Sequence, residues 1–297
     1  MTIVLAAVVL FGLTLVFAGL LGVAKEKLKV EEDPRIAVVN EALPAANCGG
    51  CGFAGCSDFA KAVVEERAEL TGCPVGGAKT AEAIAKALGV KVVKTAPLRP
   101  VLLCGAKNHQ KLGRVPYTGV QSCVGADVLG ATQGCVYGCL GYADCIGVCD
   151  YDAIHMVEGI PEIDYEKCIG CGACTKACPR NLLPKIPFKE DRMLVIACSN
   201  REPGKNVKQV CKVGCIGCSL CKRADESIFE VSNNLATINY DNYTTAADIK
   251  RKAIEKCPTD VMIYFGRTGP TYAKPLAKAE AEAEKARQEA EATADSK

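Results

Sequence analysis

Four cysteines with the spacing of a bacterial ferredoxin lie in the middle of the chain, at Cys168, Cys171, Cys174 and Cys178, and Pro179 follows the last of them. In such a run three close thiolates hold three irons of one [4Fe–4S] cubane, and the cysteine before proline ligates the neighbouring cluster. Zinc needs only four ligands, usually in two separated pairs. The run therefore predicts iron–sulfur chemistry, which passes single electrons.

A looser run of cysteines precedes it: Cys135, Cys139, Cys145 and Cys149. Asp150 follows this run, where proline is usual. If the two runs exchange their last cysteine, as in two-cluster ferredoxins, they form two complete sets of ligands. The first predicted set is Cys135, Cys139, Cys145 and Cys178. The second predicted set is Cys149, Cys168, Cys171 and Cys174.

A third group of cysteines occurs further along the chain: Cys215, Cys218, Cys221 and Cys257. Asp225 stands where the fourth cysteine of the run would be, and Tyr243 stands where a later triad would begin. Under crossed ligation, the cysteine expected at Asp225 and the triad expected from Tyr243 would ligate the same cluster, so that cluster has lost all its ligands. Cys257, before Pro258, remains to complete the other cluster of this unit. One cluster is therefore predicted here, held by the four cysteines named first.

A fourth predicted cluster lies nearer the N-terminus: Cys48, Cys51, Cys56 and Cys73. This spacing could also hold zinc, but the company of three ferredoxin-type sites favours a cubane. Sixteen of the twenty cysteines are then assigned. The other four form two pairs related by an internal repeat: Cys104, Cys123, Cys198 and Cys211. Reduced buried thiols, a further cluster and a disulfide remain open for them.

The repeat covers the second half of the chain. The short apolar segments 101–104 and 195–198 each end in a cysteine, and a cysteine-rich stretch follows each of them. Two ferredoxin-like units in tandem are the simplest explanation. In the unit before them, apolar spacing predicts helices over Cys56–Leu70 and Thr80–Leu88, with Thr80 as N-cap and Gly89 as the C-terminal stop.

An uncharged apolar run from Ile3 to Ala24 is long enough to span a bilayer. Lys25, Lys27 and Lys29 follow it at once, and no Lys or Arg precedes it. The positive-inside rule predicts a single-pass anchor in the cytoplasmic membrane, with the rest of the chain facing the cytoplasm. A cleaved signal peptide is the alternative. Under the anchor prediction the cysteines are cytoplasmic thiolates.

The predicted fold class is α+β, with one N-terminal transmembrane helix, a small Fe–S domain and tandem ferredoxin-like units. The predicted segments are an anchor (1–24), a linker (25–37), an N-terminal cluster domain (38–95), a two-cluster ferredoxin-like domain (96–190), a degenerate one-cluster domain (191–268) and a charged tail (269–297). Each boundary follows a change in composition or the limits of the repeat.

Composition excludes several other functions. The formal net charge is only +2, which gives no support to nucleic-acid binding. No dinucleotide or phosphate-loop motif is present, so neither flavin nor nucleotide is predicted on this chain. A group of basic residues lies around Cys215, Cys218 and Cys221 in the sequence: Lys205, Lys208, Lys212, Lys222 and Arg223. It is either a solvated face or a docking patch for an acidic electron carrier such as ferredoxin.

Two stretches carry a resemblance to a known family. EALPAANCGGCGFAGC at 41–56, after one N-terminal span, and CVYGCLGYADC at 135–145 resemble the B subunit of the Rnf complex. The resemblance covers nearly the whole chain except its C-terminal tail. The departures are Asp150, Asp225 and the triad missing at Tyr243.

The resemblance implies a membrane-bound ferredoxin:NAD+ oxidoreductase that couples electron flow to Na+ or H+ translocation. This subunit would take electrons from reduced ferredoxin, while flavins, NAD and the ion path belong to other subunits. Its partners would be those subunits, ferredoxin and membrane lipid. Two alternatives remain: a ferredoxin-like subunit of another membrane oxidoreductase, such as a hydrogenase, and a scaffold stabilised by zinc or disulfides.

Overall fold

A computed structural model describes residues 2–27, 33–91, 96–130, 132–243 and 247–275, and the side chains of these except 2–10, 24–27 and 247–250. Within these residues no helix is long and apolar enough to cross a membrane. Helix α1 covers Thr2–Lys27, and only residues 11–23 of the predicted span have described side chains. The rest of that span, part of the predicted linker and most of the predicted tail lie outside them.

The N-terminal unit consists of three helices: α2 (Pro34–Ala42), α3 (Cys56–Val64) and α4 (Gly77–Leu88). Its small core contains Val39, Phe59 and Ile84, each at most 1% exposed. A core of this size contributes only a few kcal/mol, so a cluster or another covalent constraint is needed to stabilise it.

Two predicted helix boundaries in this unit are wrong, and one is confirmed. Helix α3 ends at Val64 and not at Leu70, because Glu66 adopts a φ of +58° and the Arg67 amide donates to the Ala62 carbonyl. This is the Schellman arrangement that closes helix C-termini. Thr80 lies buried inside α4 and is not its N-cap, whereas Gly89 ends that helix with a φ of +69°, as predicted.

The remaining elements are short. The helices are α5 (Cys123–Leu129), α6 (Asp144–Gly147), α7 (Ala173–Ala177), α8 (Gly204–Val210) and α9 (Ala247–Lys256). The strands are β1 (Leu98–Pro100), β2 (Ile154–Val157), β3 (Ile160–Ile163), β4 (Lys185–Pro187), β5 (Arg192–Ile196), β6 (Phe229–Ser232), β7 (Leu235–Ile238), β8 (Met262–Gly266) and β9 (Thr271–Tyr272). All pairings among these strands are antiparallel.

The order of these elements repeats. In the first unit β1 pairs with β4, and the β2–β3 hairpin and α7 lie between them in sequence. In the second unit β5 pairs with β8, and the β6–β7 hairpin and α9 lie between them. Mixed helices and small antiparallel sheets agree with the predicted α+β class, and this repetition agrees with tandem units.

One hydrophobic core runs through both units. It includes Leu102 and Leu183 of the first unit and Leu194, Phe229 and Ile254 of the second, all at most 2% exposed. The two units are therefore packed together and not merely linked, which fixes the cysteines of one unit relative to those of the other.

Candidate metal centres

All twenty cysteines are free thiols, and the fold gathers them into groups. The N-terminal group is Cys48, Cys51, Cys56 and Cys73, which line one cavity of about 300 Å³. Phe59 of α3 lines the same cavity. The Gly76 amide donates to the Cys73 sulfur over 3.4 Å. The four residues predicted to form this set therefore lie together.

The second of the two predicted crossed sets also lies together: Cys149, Cys168, Cys171 and Cys174. Burial, together with the nearby sulfurs of Cys168, Cys171 and Cys149, raises the pKa of the Cys174 thiol to about 11. Burial also raises the pKa of Cys168, while the Gly170 amide that faces its sulfur lowers it. The four free thiols are near one another, and each would give up its proton on binding iron.

The last predicted set surrounds another cavity, of about 350 Å³: Cys215, Cys218, Cys221 and Cys257. Pro258 lines the same cavity, as the ferredoxin pattern requires. Burial raises the pKa of Cys221 to about 11, and the sulfurs of Cys215, Cys218 and Cys257 add to that rise.

The remaining predicted set is only partly brought together. Cys139, Cys145 and Cys178 line a cavity of about 400 Å³, but its fourth cysteine is Cys123 and not Cys135. The Asp144 carboxylate holds Cys123 in place, since it accepts the amides of Cys123 at 2.9 Å and Val124 at 3.1 Å. Burial raises the pKa of Cys145 to about 12, and the sulfur of Cys123 adds to that rise.

Cys135 lies in a different cavity, with Cys104, Cys198 and Cys211. Arg180 positions the loop that carries it: the guanidinium donates to the carbonyls of Cys135 at 3.2 Å and Gly138 at 2.6 Å. The same guanidinium pairs with Asp127 of α5 at 2.6 Å. The loop is thereby held against the segment that follows Cys178.

The donor sets fit cubanes. In the described part of the chain no three Cys, His, Asp or Glu side chains converge to bind one metal ion. A cubane requires a different arrangement, because each of its four irons takes one thiolate and the sulfurs surround the cluster. Backbone amides also point at the sulfurs, as at Leu182, which donates to Cys178 over 3.4 Å. Such donors stabilise the negative charge of a thiolate-held cluster.

In the second unit, hydrogen-bonded side chains stand at the positions where the ferredoxin pattern would have further cysteines. Tyr243 is 5% exposed, and its hydroxyl accepts the Leu194 amide at 3.0 Å. The Tyr240 ring lies 5.8 Å from it, and the Tyr240 hydroxyl donates to the Leu194 carbonyl at 3.1 Å. Asp225 accepts the amide and hydroxyl of Ser227 at 2.7 and 2.6 Å. These hydrogen bonds give the residues structural roles, and a single cluster in this unit stays a prediction.

The N-terminal unit approaches the first ferredoxin-like unit closely at Gly50. A Cβ atom at this position would lie 3.0 Å from Pro74 Cγ and 3.2 Å from Cys171 Cβ. Burial raises the pKa of Tyr151, and the sulfurs of Cys48 and Cys171 add to the rise. Two groups of cysteines therefore face each other across this contact, with a tyrosine beside them.

The basic group lies mostly on the surface. Lys205, Lys208, Lys212 and Arg223 are exposed, whereas Lys222 is half-buried. Helix α8 carries the first two, and its other side contributes Val207 and Val210 to the cavity that contains Cys135. The helix that carries two of these lysines therefore also lines one of the cysteine cavities.

Known proteins resemble the chain over most of its length. The FeS family model, which describes an Fe–S cluster, matches residues 43–75, and the Fer4 model, a 4Fe–4S binding domain, matches residues 161–183. The B subunit of the Na(+)-translocating ferredoxin:NAD(+) oxidoreductase complex of Acetobacterium woodii is 36% identical over 82% of this chain and 72% of its own length.

Two further relatives have similar names. The B subunit of the ion-translocating oxidoreductase complex of Methanosarcina acetivorans is 37% identical over 83% of this chain and 96% of its own. The B subunit of the proton-translocating ferredoxin:NAD(+) oxidoreductase complex of Clostridium ljungdahlii is 35% identical over 87% and 91%. Each of these three alignments covers more than four fifths of the chain.

Proposed function

The chain belongs to the B-subunit family of ion-translocating oxidoreductase complexes, and we propose that it accepts electrons from reduced ferredoxin and relays them toward NAD+. It is an iron–sulfur electron-transfer subunit of an oxidoreductase. The relay is coupled to Na+ or H+ translocation by other subunits of the complex. The observation that carries the proposal is the gathering of cysteines, in groups of four, around separate sites.

The proposed ligand sets keep three of the predicted groups. They are Cys48, Cys51, Cys56 and Cys73; Cys149, Cys168, Cys171 and Cys174; and Cys215, Cys218, Cys221 and Cys257. A fourth set contains Cys139, Cys145 and Cys178. When bound, each [4Fe–4S] cluster takes up and gives back one electron.

The protein's own groups hold and tune the clusters. Buried thiols lose their protons to ligate iron, and backbone amides such as those of Gly76 and Leu182 stabilise the sulfur charge. The Lys111 ammonium donates to the carbonyls of Cys139 at 2.9 Å and Gly159 at 3.0 Å. A positive charge beside a cluster favours the reduced, more negative form, so Lys111 raises the potential there.

The proposed arrangement in the membrane rests on the N-terminal segment. The described side chains of α1 include a series of exposed apolar residues: Phe11, Leu15, Val16, Phe17, Leu20 and Leu21, each more than half exposed. We place this segment in the cytoplasmic membrane as a single-pass anchor (1–24), with a linker (25–37) and the cluster-bearing part in the cytoplasm. The division into 38–95, 96–190, 191–268 and a tail (269–297) completes the proposed organisation.

The basic group is proposed to bind ferredoxin. Ferredoxins that act as electron carriers are acidic, and complementary charge speeds short-lived encounters. Lys208 is an exposed residue of α8, and Val207 and Val210 of the same helix line a cysteine cavity, so a carrier bound at Lys208 would be close to a cluster. This gives the docking interpretation more support than that of a merely solvated face.

The proposal is tested on the complex purified from membranes through a tag on this chain. We expect flavoprotein and multi-span membrane subunits in the preparation, together with ferredoxin-dependent reduction of NAD+. Reversal of two charges, Lys208→Glu with Lys212→Glu, is expected to raise the KM for ferredoxin roughly tenfold at low salt. The increase should shrink near 1 M salt, where the Debye length falls to about 3 Å.

The matched control is Lys61→Glu with Lys79→Glu, which makes the same change in net charge on exposed positions of the N-terminal unit. Its KM for ferredoxin should stay near that of the unaltered complex. An equal rise in both variants would remove the docking site at α8. A preparation that contains hydrogenase subunits, and does not reduce NAD+, would contradict the proposed function itself.

A further inference from the structure

Four of the five cysteines that the proposed sets leave out surround one cavity of their own: Cys104, Cys135, Cys198 and Cys211. Its volume is about 470 Å³, against about 300 to 400 Å³ for the three cysteine cavities described above. By the same measure it therefore offers no less space than the other three cysteine cavities. Its lining is mostly apolar, with Ala106, Leu112, Val207 and Val210 among the cysteines.

The cavity lies where the two units meet, and hydrogen bonds between the repeats form it. The Gly105 amide donates to the Ala197 carbonyl at 2.8 Å, which places Cys104 beside Cys198. On the other side, the Leu112 amide donates to the Val210 carbonyl at 2.9 Å and the Lys212 amide to the Gln110 carbonyl at 3.0 Å. Each unit thus supplies two cysteines, and neither could form the group alone.

N–H groups face all four sulfurs. The Cys139 amide donates to Cys104 Sγ at 3.4 Å, and the Asn200 side-chain amide to Cys135 Sγ at 3.5 Å. Burial raises the pKa of Cys198 to about 12 even though the backbone amides of Asn200 and Cys215, which face its sulfur, act to lower it. Burial likewise raises the pKa of Cys211, against the amides of Val213 and Gly214.

The side chain of Asn200 is held so that its NH2 group faces the Cys135 sulfur. It is one of the few buried polar residues among those described, at 2% exposure. Its side-chain oxygen accepts the Glu202 amide at 2.8 Å, which leaves its NH2 group directed at Cys135. Buried polar groups are normally satisfied, and a donor aimed at sulfur is the arrangement found around cluster ligands.

We propose that Cys104, Cys135, Cys198 and Cys211 hold a fifth [4Fe–4S] cluster at the junction of the two ferredoxin-like units. The proposal rests on the proposed function, since the other clusters supply and remove its electron. It also makes Cys123 the fourth ligand beside Cys139, Cys145 and Cys178. The twenty cysteines of the chain then divide into five sets of four, with none left over.

The fifth site connects the two units electronically. The amide that donates to Cys104 belongs to Cys139, a ligand of the set in the first unit. The amide of Cys215, a ligand of the set in the second unit, faces Cys198. One electron arrives from a neighbouring reduced cluster or from ferredoxin, and the same electron leaves to a neighbouring oxidised cluster. No other oxidant or reductant is needed.

The test is a count of iron, acid-labile sulfide and zinc in the full chain, prepared without oxygen. We expect about 20 iron and 20 sulfide per chain in the unaltered protein. Cys211→Ala should lose about four of each, and Cys123→Ala should also lose about four, because the two residues belong to different sets. Cys211→Ser repeats the first test with a smaller change of shape. Gln209→Ala, at an exposed position of the same helix as Val207 and Val210, is the control and should keep the full count.

Each other outcome overturns a specific claim. About 16 iron in the unaltered chain, unchanged in both cysteine variants, would overturn the fifth cluster and return Cys135 to the first predicted set. About 16 iron with one zinc would make the junction a zinc site and overturn the cluster there. Near-zero iron in the unaltered chain would instead contradict the proposed function itself, and not only the fifth cluster.

Discussion

Alanine at both Cys174 and Cys178 is expected to remove about eight irons from the chain, whereas alanine at either position alone removes about four. Cys174 lies in α7, and Cys178 directly follows that helix. Cys174 nevertheless lies with Cys149, Cys168 and Cys171, while Cys178 lines the cavity of Cys145. Each substitution therefore damages a different cluster, and the losses add.

The matched control is the pair Cys149→Ala with Cys174→Ala. These residues are 25 positions apart in sequence but belong to the same set, so the double variant should lose only about four irons. The measurement is anaerobic iron and sulfide content, with the reduced spectra of the single variants to show that different clusters are missing. If the pair at 174 and 178 also lost only four, ligation would not cross between the runs.

Phe59→Ala is expected to destabilise the N-terminal unit by about 3–5 kcal/mol. Phe59 is 1% exposed, packs edge-on against Phe53 at 5.6 Å and lines the cavity of the first cysteine group. A core as small as this one rarely contributes more than about 3–5 kcal/mol to the free energy of unfolding, so the substitution is expected to remove all of that contribution. The unit should then lose its cluster, which lowers the iron content of the chain by about four.

The control for this substitution is Lys61→Ala, on the exposed side of the same helix. Denaturant unfolding of the two variants, with iron content measured on the same samples, separates the loss of core packing from the general effect of an alanine in this helix. A Phe59→Ala protein that kept its iron, and unfolded within about 1 kcal/mol of the unaltered chain, would show that the cluster alone stabilises this unit.

Three of the cysteine groups could be predicted from the sequence, because their members are close along the chain or follow the crossing rule of ferredoxins. Closeness in sequence places Cys48 with Cys73, and the crossing rule places Cys257, before Pro258, with Cys221. The Schellman turn at Glu66 gave no such signal, since a non-glycine residue occupies the left-handed position that usually marks a helix end.

The fate of Cys135 could not be predicted in this way. It stands four positions before Cys139, yet the two line different cavities, because the backbone turns between them and Arg180 fixes the loop. Its companions at the junction come from segments that only the pairing of the repeats brings together. The repeat marks Cys104 and Cys198 as equivalent positions, but equivalence alone does not show that they meet.

Electrons must enter clusters held by these thiolates for the chain to act as a relay. The most direct measurement is the visible absorption of the full chain, prepared without oxygen, before and after mixing with reduced ferredoxin. We predict a broad absorption that is partly bleached as the clusters take up electrons from the carrier. A colourless chain, or a coloured one whose absorption ferredoxin leaves unchanged, would contradict the central claim.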